Sequence, residues 1–368
     1  MKKLILTLCL ALSLTACGDK ASDTSKEENK QIIKIGATLP LTGDAADAGQ
    51  TNKKIIELAL KEFGKTKYDY QLFFEDDLTQ PKKAMLNAVN FTDIKKATAV
   101  LSMWTPAGMA VSPIAEKNKA IHITCAWGYK VAQGEYNFNS STSFESQVKL
   151  LAKKLKKEHL TNIAYAVVNT AGCVEQAEYA IPALKKEGIN FTDIQYYNPT
   201  ETDFRLLVSK METHNPDYYV LCGIPPSSQI FTQQFQEVTH KRNITSIDTF
   251  FEMDPAAWAL VDGLWFVNSA SGTSEFENKI KSQLGETSKS CSANLYDAAH
   301  LLIWAYENAK LEEGELVPNT DSVVAKLHEV KGYNGATGPD LWIDKDGILQ
   351  SQATLKKIVD GKLVNVEE

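Results

Sequence analysis

Short apolar runs alternate with longer amphipathic stretches along most of the chain. Residues 32–37 form an apolar, β-branched run that predicts a strand, whereas residues 49–63 repeat apolar side chains on one helical face. The same order returns in residues 70–75, a predicted strand, and 81–94, a predicted helix that begins with Pro81. This alternation is typical of parallel βαβ units.

A second series of alternating elements follows a polar segment at residues 139–143. Before that segment, strands are predicted at 99–103 and 120–124, with a helix between them that begins near Pro106. After it, the pattern predicts helices at 144–158, 175–186 and 204–213 and strands at 162–168, 191–196, 218–222 and 245–250. Two doubly wound sheets in sequence predict an α/β protein of two lobes, with a cleft between them in which ligands of such folds bind.

The N-terminus has the layout of a secretory signal. Residues 1–3, Met-Lys-Lys, precede an apolar run at 4–14 that is too short to span a bilayer. Residues 14–17, Leu-Thr-Ala-Cys, resemble the bacterial lipobox, in which the cysteine is lipidated and becomes the mature N-terminus. We therefore expect a signal peptide at 1–16 and a lipid on Cys17. The alternative is an ordinary signal peptide that ends near a cysteine.

Residues 18–30 contain no large apolar side chain and predict a flexible tether. About 340 residues follow, which exceeds what one hydrophobic core usually supports and again favours two lobes. No later segment has the long uncharged apolar run of a transmembrane helix. The formal net charge of −7 becomes more negative once Lys2 and Lys3 leave with the signal, which disfavours nucleic acid as a partner.

Four of the six cysteines lie in the body of the chain, at residues 125, 173, 222 and 291. Their wide spacing lacks the close pairing of a zinc or redox motif, so no metal or cofactor is predicted. These cysteines form either disulfides or buried thiols. Cys173 and Cys222 follow neighbouring predicted strands and are a candidate pair.

Six strings in the body occur in the order found in one protein family. They are residues 35–43 (IGATLPLTG), 111–116 with 121–124, 138–147, 262–267, 296–298, and 338–339 with 344–347. In these strings and in its order of elements, the chain from about residue 33 to 364 resembles the type I periplasmic binding proteins, in the leucine/isoleucine/valine-binding branch. The resemblance implies an extracytoplasmic protein that captures a solute and delivers it to an ABC importer.

The resemblance also implies lobes that are discontinuous in sequence. Lobe I comprises residues 31–140 and 271–335, and lobe II comprises residues 141–270 and 336–368, after a tether at 17–30. Three chain segments then form a hinge, which lets the lobes close over a ligand.

In the amino-acid binders of this family, a hydroxyl side chain and backbone N–H groups at the start of the third helix hold the ligand carboxylate. The matching segment is residues 104–108, where the resemblance implies Thr105 as the hydroxyl donor and includes Ala107. Helix N-termini carry unpaired N–H groups and partial positive charge, so this role is physically sound. The alternative role of Thr105 is a plain N-cap of the helix.

The turn after the next predicted strand departs from the family pattern. The family shows a turn that contains Ser-Pro-Ala/Gly, whereas residues 125–129 read CAWGY. Trp127 and Tyr129, on either side of Gly128, and Trp104 place three rings near the cleft and favour a flat or cationic ligand that stacks on them. Alternatively, one or two of these rings pack between the lobes.

Lobe II supplies further candidates. Thr170 lies where the family has an aromatic residue before a glycine, and Ile224 lies near the family's other aromatic position, where it offers an apolar wall. Glu252 is the expected acidic partner of a ligand ammonium group, with Asp254 as the close second. Either carboxylate is alternatively a surface group or a helix cap.

These residues predict a small polar ligand, namely an amino acid or a related amide or organic acid. The expected partners are this ligand, the permease subunits of an ABC importer and, through Cys17, the lipid bilayer on the extracytoplasmic face of the cell envelope. The protein is expected to be a monomer. A sensory or scaffold lipoprotein that presents its ligand to a receptor is the alternative.

An enzyme is a competing class, because His122 and Cys125 can be read as a base and a nucleophile. A spacing of three residues along a strand puts the two side chains on opposite faces. The chain also lacks G-x-S-x-G and H-E-x-x-H motifs and a phosphate-binding loop. The sequence therefore predicts a binding protein.

Overall fold

The first five strands form a parallel sheet, sheet A. The computed structural model describes residues 30–269 and 272–366. Sheet A has the order β2-β1-β3-β4-β5 and consists of β1 (Ile32–Leu39), β2 (Asp69–Asp76), β3 (Ala99–Met103), β4 (Ile121–Cys125) and β5 (Asn137–Asn139). Every residue of β3 and β4 is buried, as expected where a parallel sheet is covered on both faces.

Three helices connect the strands of sheet A. They are α1 (Ala46–Phe63), α2 (Pro81–Val89), which continues as a π-helical turn (Asn90–Ile94), and α3 (Thr105–Lys117). Ile55, Ile56 and Ala59 of α1 are buried, as their periodicity predicts. A 3-10 helix, Lys130–Ala132, precedes β5. The elements predicted for this part of the chain are confirmed.

The second parallel sheet, sheet B, has the order β7-β6-β8-β9. Its strands are β6 (Asn162–Val168), β7 (Asn190–Tyr197), β8 (Tyr218–Cys222) and β9 (Ile244–Ser246). The accompanying helices are α4 (Phe144–Lys157), α5 (Ala171–Lys186), α6 (Arg205–Glu212), α7 (Ser227–Thr239) and the short α8 (Thr249–Glu252). Two doubly wound sheets in sequence are therefore present, and the α/β fold class of two lobes is confirmed.

The predicted strand at 245–250 is wrong in its second half. The strand ends at Ser246, and Asp248 adopts a φ of 61°, which no strand residue can keep. The Asp248 carboxyl accepts hydrogen bonds from the backbone N–H of Ser269 (2.5 Å) and from Asn268 Nδ2 (3.1 Å). These contacts with the last residue of β10 and the residue after it hold the turn, and α8 begins directly after it.

The remaining elements complete both lobes. After the 3-10 helix Pro255–Val261 come β10 (Trp265–Asn268), α9 (Ser274–Leu284), α10 (Ser292–Asn308), α11 (Thr320–Leu327), β11 (Tyr333–Gly335), β12 (Gly338–Ile343), β13 (Leu349–Gln350), β14 (Thr354–Val359) and β15 (Lys362–Asn365). Strands β11-β12-β13 and β10-β14-β15 form two small antiparallel sheets. No helix within residues 30–269 and 272–366 is both long and apolar enough to cross a membrane.

Each large sheet has its own hydrophobic core. Core I joins sheet A to α1, α9, α10 and α11, and core II joins sheet B to α4–α7, β10 and β14. Leu341, Ile343 and Leu349 of the C-terminal hairpin lie in core I, whereas Leu355 and Ile358 lie in core II. The lobe bounds given above stay a prediction, and the packing departs from them at this hairpin, because its apolar side chains face sheet A.

Three crossings carry the chain between the two cores. At the first and third, the hydroxyls of Thr142 and Ser351 lie 2.7 Å apart, and the backbone N–H of Ala353 donates to Ser146 Oγ (2.9 Å). At the second, Gln147 Nε2 donates to Ser269 Oγ (2.6 Å). The crossings therefore lie side by side and are linked by short polar contacts.

Both possible disulfides form among the four body cysteines. Cys173–Cys222 links α5 to the end of β8, with a Cα–Cα distance of 5.7 Å, so the candidate pair is confirmed. Cys125–Cys291 links the end of β4 to the residue before α10, 166 positions away. The spacing of this second pair gave no indication of it.

Candidate functional site

The carboxyl ends of both parallel sheets face one cleft. The lobe I side consists of the start of α3, which follows β3, and the turn 126–129, which follows β4. The lobe II side consists of the start of α5, which follows β6, and α8, which follows β9. An ideal Cβ on Gly172 of α5 would lie 3.1 Å from Trp127 Cβ and 3.2 Å from Thr105 Oγ1. The two walls therefore touch, and the cleft is closed.

Thr105 is the first residue of α3 and is buried. The N-cap is Trp104, with a φ of 70°, and no side chain caps the helix, so the N-cap role for Thr105 is wrong. Thr105 Oγ1 donates instead to the carbonyl oxygen of Trp127 (2.8 Å). This bond joins the two lobe I segments of the cleft wall. Ala107 is buried in a small apolar cluster with Phe91 and Val111.

The three rings expected near the cleft take different places. Trp104 packs on core I, and its Nε1 donates to Ser290 Oγ (3.1 Å). Trp127 extends from lobe I and packs on core II. The Tyr129 ring lies against Phe144 and Tyr179 of lobe II, with centroids 5.1 and 5.6 Å away. Trp127 and Tyr129 therefore follow the alternative prediction of packing between the lobes.

The turn of lobe I is hydrogen-bonded to Glu175 of α5, a residue that was not predicted to belong to the site. Its carboxylate accepts hydrogen bonds from the backbone N–H groups of Tyr129 and Lys130, the second at 2.9 Å. Gly128 has a φ of 111°, and a Cβ there would lie 2.3 Å from Glu175 Oε2. Glu175 is the fifth residue of α5, where local spacing does not distinguish it from an ordinary helix-surface glutamate, so the sequence gave no distinct signal.

Glu252 ends α8 and faces lobe I. Ser290 Oγ donates to Glu252 Oε1 (3.0 Å), so Trp104, Ser290 and Glu252 form a hydrogen-bonded chain across the cleft. Burial, together with the nearby Asp248 carboxyl, raises the pKa of Glu252 to about 7. A carboxyl in such surroundings gains from a cationic partner, because the cation restores the charged form.

The remaining lobe II candidates have local roles. Asp254 is exposed and caps the 3-10 helix Pro255–Val261 by accepting from the N–H of Ala256 (2.8 Å), so it takes the alternative role of a helix cap. Thr170 is the half-buried N-cap residue of α5. Ile224 follows β8, is half-buried and packs on core II.

The residues of the enzyme alternative are not available for catalysis. Cys125 is bonded to Cys291 and offers no thiol. His122 is fully buried between Ser102 Oγ (2.8 Å from Nε2) and Asn137 Oδ1 (3.0 Å from Nδ1). Within residues 30–269 and 272–366, no group of three or more His, Cys, Asp or Glu side chains is placed to hold a metal ion.

The fold and cleft define a two-lobed α/β binding protein. The family model for periplasmic binding proteins matches residues 32–362, and the chain belongs to that family. It is therefore a binding protein of the periplasmic type rather than an enzyme.

Individual relatives are distant in sequence and similar in length. The Leu/Ile/Val-binding protein homolog 3 of Brucella melitensis is 22% identical over 354 residues, which cover 91% of this chain and 94% of that protein. The leucine binding protein LivK of Thermotoga maritima superposes with a TM-score of 0.79 at 20% identity, covering 91% of this chain and 98% of that one. A solute binding protein of Rhodopseudomonas palustris, solved with 3,4-dihydroxybenzoic acid, gives 0.75 at 20% identity, covering 92% and 96%.

Proposed function

We propose that this protein captures an amino acid, or a related amide or organic acid, in the cleft and delivers it to an ABC importer. The observation that carries the proposal is the opposition of two complementary groups across one cleft. The start of α3, with Thr105, offers N–H donors for an anion, and Glu252 of the other lobe offers a partner for a cation.

A carboxylate is the ligand group that the relatives support. One relative is named for leucine, isoleucine and valine, and one solved structure contains 3,4-dihydroxybenzoic acid. Both kinds of ligand carry a carboxylate, but only the amino acids also carry an amine. Glu252 favours the amine-bearing class here, because a carboxyl with a raised pKa is stabilised by a neighbouring ammonium group.

A ligand in the cleft meets less aromatic surface than the three predicted rings would offer. Tyr129 packs between α4 and α5, so it belongs to the contact between lobes. Trp104 and Trp127 are half-buried and stand beside the start of α3. We propose Trp104 and Trp127 as lateral walls of the ligand site, Trp127 in addition to its packing between the lobes, and Ile224, Thr170 and Gly128 as its border.

Membrane attachment through Cys17 is the second part of the proposal. Cys17, the signal at 1–16 and most of the tether lie outside the residues that the structure describes. A lipidated cysteine followed by a polar tether holds a binding protein near its permease on the extracytoplasmic face. Mass spectrometry of the N-terminal peptide tests this part: a diacylglycerol on Cys17, absent from Cys17→Ser, supports it, and an unmodified peptide contradicts it.

The alternative to delivery of the ligand to an importer is its presentation to a receptor. Both use the same closed cleft and a monomeric protein. Neighbouring permease and ATPase genes favour transport, and a neighbouring kinase or chemoreceptor gene favours sensing.

A thermal-shift screen tests ligand capture directly. Residues 31–368 form one compact unit that contains both cores, so the screen uses this body with amino acids, amides and aromatic acids. A ligand at a hundredfold excess over its Kd stabilises the folded state by about 3 kcal/mol. We expect a shift from amino acids that is lost in Thr105→Ala and Glu252→Gln.

Two matched variants control for general damage. Thr202→Ala removes an exposed threonine of lobe II, and Asp254→Asn alters the carboxyl that caps the 3-10 helix. Both should retain the shift. Loss of the shift in the control variants, or no shift from any compound class, contradicts the proposed site.

A further inference from the structure

The turn 127–130 of lobe I is inserted into lobe II. Trp127 packs on core II, and Tyr129 lies against Phe144 of α4 and Tyr179 of α5. Gly128 is buried, although the turn leaves the edge of its own sheet. This contact joins side chains of the lobe I turn to the core and helices of lobe II.

Glu175 supplies the polar part of this contact. It is 7% exposed and is the fifth residue of α5. Its carboxylate accepts from the backbone N–H groups of Tyr129 and Lys130, and the second of these belongs to the 3-10 helix Lys130–Ala132. Hydrogen bonds to an ionised acceptor are stronger than those between neutral groups, and both donors here lie on the opposite lobe.

Two glycines make room for the contact. A Cβ at Gly128 would lie 2.3 Å from Glu175 Oε2, and a Cβ at Gly172 would lie 3.1 Å from Trp127 Cβ. The first position also has a φ of 111°, in the region that favours glycine. One glycine from each lobe therefore permits the close approach of the two walls.

We propose that Glu175 is a positioning residue that holds the two lobes closed in the absence of ligand. It acts through the backbone of Tyr129 and Lys130 and does not contact the ligand. When the lobes part, both N–H groups and the carboxylate exchange this contact for water. The closed form therefore keeps a substantial population before any ligand enters.

This arrangement has a consequence for affinity. A ligand that binds only the closed form has an apparent Kd equal to its intrinsic Kd divided by the closed fraction. Loss of two charge-assisted hydrogen bonds lowers the closed-to-open ratio on the order of tenfold or more. Glu175 thus influences the apparent affinity for the ligand without contacting it. The effect is the same for any ligand that binds only the closed form.

The distance between spin labels on the two lobes of the ligand-free body tests this. All four cysteines of residues 31–368 are in disulfides, so new cysteines are labelled selectively. Lys82→Cys on α2 and Ser209→Cys on α6 are exposed positions of lobe I and lobe II. Pulsed dipolar spectroscopy then reports the closed and open populations.

Glu175→Ala should move most of the distance distribution to the longer, open component. Gly128→Ala should do the same from the other lobe, because its Cβ collides with the carboxylate. Glu178→Ala is the matched control: Glu178 lies on the same helix and contacts the same lobe I residue, Lys130 Nζ (3.4 Å), but at the exposed surface. Exposed pairs of this kind contribute little, so this variant should resemble the unaltered protein.

Several outcomes overturn the proposal. They are an unaltered protein that is fully open without ligand, a Glu175→Ala distribution equal to the unaltered one, or an equal shift in Glu178→Ala. Circular dichroism shows whether each variant is folded. If Glu175→Ala does not fold, the distance distribution of Gly128→Ala tests the proposal instead. Because no ligand is present, these results are independent of the thermal-shift screen.

Discussion

Trp104 and Glu252 lie on opposite walls of the cleft and contact the same hydroxyl group, that of Ser290. Ser290 is held in place on lobe I, because Asn52 Nδ2 donates to its carbonyl oxygen (2.8 Å) and its neighbour Cys291 is bonded to Cys125. The carboxyl proposed to meet a ligand ammonium group is therefore already hydrogen-bonded to the other lobe. A ligand amine has to join or replace Ser290 at that carboxyl.

Stability should fall with rising pH through the titration of Glu252. Its folded-state pKa of about 7 lies above the ordinary value of 4.5. The resulting contribution to stability is fully present below about pH 4.5 and is lost as the pH rises through about 7. Glu252→Gln keeps the side-chain shape and removes the titration.

Urea unfolding of the ligand-free body at about pH 5 and pH 8.5 measures this difference. The unaltered protein should lose about 2–3 kcal/mol more than Glu252→Gln between the two conditions. Equal losses in the two proteins would mean that Glu252 titrates in the folded state as it does in the unfolded chain.

His122 should give the opposite slope at lower pH. Burial lowers its pKa from 6.5 to about 4, so the unfolded chain binds this proton more readily than the folded protein. The contribution of neutral His122 is present above about pH 6.5 and is lost as the pH falls through about 4.

The same unfolding experiment between about pH 7.5 and pH 5 checks the histidine. The unaltered protein should lose about 2 kcal/mol through this group. Over this interval His122→Gln should lose about 2 kcal/mol less stability than the unaltered protein, because the opposing contribution of Glu252 is common to both. A slope that persists unchanged in the variant would assign the acid sensitivity to other groups.

Sequence patterns predicted the parallel sheets well, because their strands are buried on both faces and read as apolar runs. Residues 99–103, 162–168 and 218–222 match the observed strands β3, β6 and β8. The pattern failed at 245–250, a more polar run (TSIDTF), where Asp248 turns the chain with a positive φ. Only the contacts of Asp248 with Asn268 and Ser269, about twenty positions later, explain that turn.

The site was predicted less completely than the fold. Thr105, Trp127 and Glu252 were placed by resemblance, and the structure puts them around one cleft. Glu175 and Ser290 were missed, because each acts through a partner far away in sequence. Neither residue type nor local spacing distinguishes these residues from a glutamate or a serine on an ordinary protein surface.

The two disulfides should contribute unequally to stability. Cys125–Cys291 spans 166 positions, and Cys173–Cys222 spans 49. In the chain-entropy account, the longer loop contributes about 1 kcal/mol more. Urea unfolding of the double variants Cys125→Ala/Cys291→Ala and Cys173→Ala/Cys222→Ala compares them, and an equal or larger cost for the shorter loop would contradict this expectation.

Gly172→Ala should shift the lobes toward the open form without lowering the stability of the protein. Alanine at a helical position is favoured over glycine by about 1 kcal/mol in the helix interior and by less near the end, so the variant should unfold no more easily. Its Cβ would lie 3.1 Å from Trp127 Cβ and 3.2 Å from Thr105 Oγ1, which crowds the closed cleft. The spin-label distance should therefore shift toward the open form, and an unchanged distance would show that the wall adjusts to the methyl group.

The central claim is that the cleft binds a small carboxylate ligand, with an amino acid preferred. Titration calorimetry of residues 31–368 with leucine, phenylalanine, glutamine and 3,4-dihydroxybenzoate tests it most directly. We expect one-to-one binding of at least one amino acid, with a Kd in the micromolar range or below, that is weakened at least tenfold in Glu252→Gln. Absence of binding for all four compounds, or equal binding in Glu252→Gln, would contradict it.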